Sequence, residues 1–243
     1  MLQPIERVEY DIVDHCNLNC KNCGHISQFK PKGEKSVSLI EEEMNLLTEK
    51  FKVANFRITG GEPLLHTNIV GVLMTLRKCF GKETRITLVT NGIKLYGMND
   101  AFYIAVKIAD IYISISQYNI KTDYERIKEK LKSKEIPFDI DDRPVFYDFM
   151  DPTGSQDGAE SFRQCRKFFC CPFYDNKKFH LCAYVANVPF ANQHFGYKIE
   201  YNCVSIEDDV EKIMDYLYKP CSTCRFCNAT RNPLMWQREN EKV

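Results

Sequence analysis

Residues 111–116, Ile-Tyr-Ile-Ser-Ile-Ser, put three isoleucines on one face of a strand and Tyr112, Ser114 and Ser116 on the other. The isoleucine face asks for a cover of helices. The serine face asks for a polar ligand or water. Strands of a doubly wound sheet are buried on both sides and read as near-continuous apolar runs. The alternation therefore favours the wall of a barrel with a polar lumen.

Working outward, the same strand–helix unit recurs on both sides. Strands are expected at 6–14, 56–59, 85–90, 111–116 and 138–142, and helices at 38–51, 69–80, 100–109 and 123–134. Ser38 and Glu41 have the spacing of a capping box, and Ile40, Met44, Leu47 and Phe51 form a helical stripe behind them. Such a series implies parallel strands joined by right-handed crossovers. A complete eight-unit barrel takes roughly 250 residues before any appendage, and the whole chain has 243. The expected fold class is α/β: a partial (β/α) barrel of about five to six parallel strands with a small cysteine-rich C-terminal extension. Residues 1–150 are assigned to the barrel and 151–243 to the extension. The aromatic, then polar and turn-rich stretch 144–162 reads as a linker or long loop, and 173–185 as a hairpin.

Basic and acidic residues balance at 33 each, so no global field draws the chain to nucleic acid or an anionic membrane. Apolar runs are strand-sized, short of the ~20 residues that span a bilayer, and the start, MLQPIERVEY, lacks the pattern of a secretory signal. A cytoplasmic location is expected. In that reducing compartment twelve cysteines point to metal rather than disulfides. They gather at 16–23 and at 165–227, with Cys79 apart.

Cys16, Cys20 and Cys23 form a C-x3-C-x2-C run directly after the first strand, at the end of a barrel where active sites form. Four cysteines saturate a [4Fe–4S] cube; three leave one iron open. A zinc knuckle closed by His15 or His25 is the alternative use of the same residues. Gly60-Gly61-Glu62-Pro63 follows the second strand. Its glycines admit close backbone approach to a ligand and its carboxylate is an acceptor for an ammonium group.

Together these two motifs resemble the radical S-adenosylmethionine (SAM) superfamily, over about residues 6–143. The resemblance implies a [4Fe–4S] cluster on Cys16, Cys20 and Cys23, with SAM chelating the fourth iron. It implies that Gly60, Gly61 and Glu62 bind the methionine amine, and that Asn91 and Ser114 or Ser116 contact SAM from the ends of the third and fourth strands. It also implies reductive cleavage of SAM to a 5′-deoxyadenosyl radical that takes a hydrogen atom from substrate, with a one-electron reductant such as flavodoxin or ferredoxin as partner. The chain departs from the family at Asn22, where an aromatic residue often packs beside the adenine.

The later cysteines resemble the SPASM and Twitch extensions of that superfamily, which carry auxiliary [4Fe–4S] clusters. By this resemblance Cys165, Cys182, Cys224 and Cys227 hold a second, auxiliary cluster, with Cys171 able to replace Cys165 and Cys221 able to replace Cys224; Cys170 is a further candidate. Lys177 stands where the family's hairpin has glycine. Structural zinc or buried thiols are the competing readings. Cys171 or Cys203 is a candidate hydrogen-atom donor. His25, Ser27 and Gln28 are candidates for the pocket wall. So are Asp139, Asp141, Asp142 and Arg143 at the end of the fifth strand. Trp236 and Arg238 are expected only to anchor the tail. The expected activity is oxidation or epimerisation of a carbohydrate-type small molecule. Peptide modification is the second expectation, and a glycyl-radical activating enzyme the third. A non-catalytic zinc or iron–sulfur protein is the alternative of another class.

Overall fold

A computed structural model describes residues 2–142, 145–168, 171–229 and 233–239; Arg143 and Cys170 lie outside the described residues. Strand β1 (Gln3–Asp11) is followed by α1 (Val37–Lys50), β2 (Phe51–Thr59), α2 (Ile69–Phe80), β3 (Arg85–Thr90), α3 (Asp100–Ile108), β4 (Ile111–Gln117), α4 (Tyr124–Ser133) and β5 (Phe138–Asp142). Then come β6 (Val145–Tyr147), α5 (Gly158–Phe168), β7 (Phe173–Asp175), β8 (Lys178–His180), α6 (Ala183–Phe195), β9 (Val204–Ser205), α7 (Val210–Leu217) and β10 (Pro233–Met235).

The main sheet runs β5-β4-β3-β2-β1-β7-β8-β9. Strands β1 to β5 pair in parallel, and β7 joins β1 in parallel at Glu9 and Phe173. These six parallel strands form the partial barrel. Strands β8 and β9 continue the sheet antiparallel, and β10 pairs with β6 apart from it.

Local sequence explains the helices. Asn68 caps α2 by accepting from the Gly71 amide, and Gly81 ends it with φ +65°. Between them Val72, Leu73, Leu76 and Phe80 are buried against the sheet, each worth about 1.5–3 kcal/mol. Helix α4 repeats the device, with an Asp123 cap and Tyr124, Ile127 and Leu131 inward. Along β4 the three isoleucines are almost fully buried in the core under the helices. This leaves Tyr112, Ser114 and Ser116 on the lumen side.

Several expectations need correction. The cap of α1 is Ser36, whose Oγ accepts from the Leu39 amide; the Ser38–Glu41 box does not form. Strand β1 ends at Asp11, and β2 begins five residues earlier than expected. The 144–162 stretch is not loop throughout, because α5 starts at Gly158. The hairpin ends at His180, and Val185 belongs to α6.

The hairpin is locked to the barrel by a buried carboxylate. Glu43 of α1 is fully buried and accepts from the Lys35 ammonium (2.7 Å), the Lys177 amide (2.8 Å) and the Tyr10 hydroxyl. Lys35 also bridges to Asp175 at 2.8 Å. Asn176 and Lys177 both turn with positive φ (48° and 60°), so Lys177 adopts the conformation a glycine would take there. The apolar core is continuous from β1 to α7, joining Tyr10 and Phe51 with Tyr174, Phe179 and Ile213. No helix among the described residues is long and apolar enough to cross a membrane.

Candidate active site

The loop after β1 carries the cysteine triad and docks on the turn after β2. The Gly61 amide donates to Val13 O (2.8 Å), and the Glu62 amide to His15 O (3.0 Å). A Cβ on Gly61 would stand 2.0 Å from His15 O, and one on Gly60 2.5 Å from Val13 O. Here the glycines serve backbone-to-backbone approach. They bring the triad to the mouth of the barrel.

Glu62 is 1% exposed, and its carboxylate is already occupied. Oε1 accepts from the Leu64 amide (3.1 Å) and the Thr90 hydroxyl (2.6 Å); Oε2 accepts from the Asn91 amide (2.8 Å). Burial raises its pKa, and these donors oppose the rise. Glu62 thus ties β2 to the end of β3. Asn91 passes the tie on, donating from Nδ2 to Asn17 Oδ1 at 2.8 Å beside Cys16.

Cys16, Cys20, Cys23, Gly60, Gly61 and Glu62 line one cavity of about 170 Å³. Asn91, Ser116, Tyr118 and Phe146 complete its far wall. Ser114 is not among the lining residues. Burial pushes the Cys16 thiol up to about 12. It pushes Cys20 up to about 11 against the pull of the Trp236 N–H. Asn22 has φ +60°, a left-handed conformation that asparagine tolerates and bulky residues resist.

A second cavity of about 160 Å³ is lined by Cys165, Cys171, Cys182 and Cys227 together with Glu9 and Tyr184. Gly24 and His25 line both cavities, so they form the shared wall. Cys224 faces a smaller enclosed space with Cys165, Cys182 and Cys227. Its sulfur is 3.8 Å from that of Cys221, and sharing a proton holds Cys221 down to about 7 while pushing Cys224 up. Burial, then neighbouring charge, drives Cys171 and Cys182 well above the ordinary thiol range. Cys203 lines neither cavity; it neighbours Tyr216, whose hydroxyl bonds Asn202 O.

His25 is held from below. Its Nδ1 lies 2.9 Å from Asp11 Oδ2, and Asp11 Oδ1 accepts from the Thr59 hydroxyl at 2.8 Å. Burial works against a charged imidazole, but Asp11 raises the His25 pKa to about 9. His15 Nδ1 instead lies 3.3 Å from Gly33 O. Beside Asp11, Glu9 and Arg57 form an ion pair (3.4 Å). Ser27 Oγ and Gln28 Oε1 are buried without a hydrogen-bond partner. Sequence reading missed Glu9, Arg57, Asp11 and the aromatic pair Tyr118–Phe146; strand alternation was the signal that would have placed the first three in the lumen.

Among the described residues no group of three or more His, Cys, Asp or Glu side chains stands ready to hold one metal ion. Each thiolate of a [4Fe–4S] cube binds a different iron. Cys16, Cys20 and Cys23, lining one cavity, supply three thiols to it and so suit the cube as a donor set.

A family model described as the radical SAM superfamily matches residues 10–139. GTP 3′,8-cyclase of Peptoclostridium acidaminophilum is 34% identical over 93 residues, which cover 37% of this chain and 28% of that protein. The probable GTP 3′,8-cyclase of Methanothermobacter thermautotrophicus is 28% identical over 139 residues, 54% of this chain and 44% of its own. The chain thus spans less than half the length of these relatives. The solved structure of BtrN in complex with AdoMet and 2-DOIA superposes with a TM-score of 0.59 at 15% identity, covering 94% of each chain. At that identity the likeness is one of fold.

Proposed function

Because this chain belongs to the radical SAM superfamily, whose members use a [4Fe–4S] cluster and SAM, we propose that it oxidises a small hydroxylated, carbohydrate-type substrate held in the barrel lumen. Cys16, Cys20 and Cys23 would hold the SAM-binding cluster. Cys165, Cys182, Cys227 and Cys224 would hold a second one, with Cys171 or Cys221 as substitutes. When bound, these groups supply a 5′-deoxyadenosyl radical as hydrogen-atom acceptor on one side and an electron acceptor on the other. The observation that carries the reading is the shared wall. Gly24 and His25 separate the triad's cavity from the second thiol-lined cavity, so a molecule in the lumen is within reach of both.

The chain's own residues do the positioning. Glu9, held by Arg57, would offer an acceptor to a substrate hydroxyl from the wall of the second cavity. Burial raises the Glu9 pKa, and the Arg57 guanidinium opposes the rise. Asn91 and Ser116 would contact SAM from the strand ends, and Tyr118 and Phe146 would offer flat apolar surface for its adenine. The Glu62 ties keep this wall rigid.

A second reading has one observation of its own. Cys171 lies in the second cavity, and burial keeps its thiol protonated, the form that donates a hydrogen atom during epimerisation. One experiment separates the two. Anaerobically reconstituted protein, given dithionite and SAM, is expected to contain about eight irons, at four per cube, and to form 5′-deoxyadenosine. With candidate sugars in deuterated water, oxidation yields a carbonyl product. Epimerisation instead yields an isomer carrying one solvent deuterium. Protein that forms no 5′-deoxyadenosine sinks both readings.

A further inference from the structure

Beyond β10 the chain crosses the cysteine loop as a strap. The Cys20–Arg238 bridge, the Lys21 amide on Gln237 O (2.9 Å) and the Glu239 amide on Asn19 O (2.6 Å) fasten it there. Apolar burial does not explain that register, since Leu234 and Met235 remain 39% and 65% exposed. The bonds to the loop do.

Trp236 sits at the centre of the crossing. Its indole N–H donates to Cys20 Sγ at 3.2 Å. Its ring stacks on Tyr118, with centroids 5.6 Å apart and planes at 21°. Tyr118 in turn packs against Phe146 (5.7 Å), and both rings line the triad's cavity. Indole nitrogen is a donor only, so the bond to sulfur persists when Cys20 becomes a thiolate and strengthens with its charge. Hydrogen bonds to the sulfurs and exclusion of solvent are among the quantities that set an iron–sulfur potential. A donor dipole aimed at a ligand sulfur favours the more negative, reduced state.

We propose that Trp236 is a positioning residue of the cofactor site: delivered by the C-terminal strap, it holds Cys20 and raises the reduction potential of the cluster that the triad binds. This rests on the triad holding the SAM cluster, as argued above. It gives the strap a task beyond anchoring the tail.

Trp236 is the only tryptophan in the chain, so the unaltered protein reports on it directly. Its emission is expected to be strongly quenched when the clusters are assembled, and to recover in part in the Cys16→Ala protein, where only the more distant second cluster remains to quench it. Emission equal in apo- and holoprotein, or quenching unchanged in Cys16→Ala, overturns the placement. Trp236→Phe keeps an aromatic ring and removes the N–H. An EPR-monitored redox titration without SAM is expected to show the triad cluster's midpoint moved to more negative potential at unchanged iron content. An unchanged midpoint overturns the tuning role. Where Trp236→Phe does not hold iron, the fluorescence of the unaltered protein decides. Unaltered protein that takes no cluster on the triad defeats the earlier reading instead.

Discussion

Replacing Cys16 by alanine is expected to abolish 5′-deoxyadenosine formation while leaving the protein folded. Cys16 sulfur accepts from the Leu18 amide at 3.3 Å and from Asn91 Nδ2 at 3.8 Å, and it lines the cavity, so the truncation removes little packing. It removes one of only three thiols on that loop, and two cannot hold the cube. Iron should fall from about eight to about four per chain if the second site is independent, with circular dichroism unchanged. Chromatographic detection of 5′-deoxyadenosine after dithionite and SAM is the measurement. Cleavage at the unaltered rate in this variant would remove the triad from the mechanism.

Gly61→Ala is expected to be the most damaging single methyl in the chain. The new Cβ would lie 2.0 Å from His15 O, 2.2 Å from His15 C and 2.7 Å from Cys16 N, all backbone atoms. Backbone cannot swing aside as a side-chain tip can, so the turn and the cysteine loop must separate. The Gly61 and Glu62 amides then lose their acceptors on Val13 and His15. Overpacking of this kind costs about 3 kcal/mol, and more where backbone is displaced. The expected result is a large fall in the denaturation midpoint together with poor iron loading. Gly97→Ala, whose Cβ would meet nothing within 4 Å, is the matched control. A Gly61→Ala protein as stable and as iron-loaded as the control would contradict the docking of the two turns.

The barrel was legible where both ends of an element are written in local residues. Helix α2 runs from an asparagine cap to a left-handed glycine, and its bounds are those the sequence indicates. Helix α1 was displaced by one residue because two serines compete for its cap and only Ser36 meets the Leu39 amide. Strand β1 was read too late because, beyond the Ile12 bond to Thr59 O, residues 12–14 pair with residues 33–35 and receive Gly61 at Val13 O, contacts no local pattern encodes. Helix α6 was hidden by Pro189 in its middle and by weak amphipathic contrast. In the site, the cysteine triad and the Gly-Gly-Glu turn were readable from spacing. What the Glu62 carboxylate binds was not, because its partners Thr90 and Asn91 arrive from another strand. Trp236 and Cys20 are brought together from opposite ends of the sequence, and periodicity carries no information over that range.

Glu43 has a consequence for how the molecule can be divided. Its carboxylate sits on the first helix, but one of its donors, and the aspartate that shares its lysine, come from a hairpin more than a hundred residues later. Cutting the chain near residue 150 would therefore strand a negative charge inside the N-terminal portion with fewer hands to hold it, and strip β1 of its neighbour on one side. The cysteine-rich portion is a structural wall of the same room.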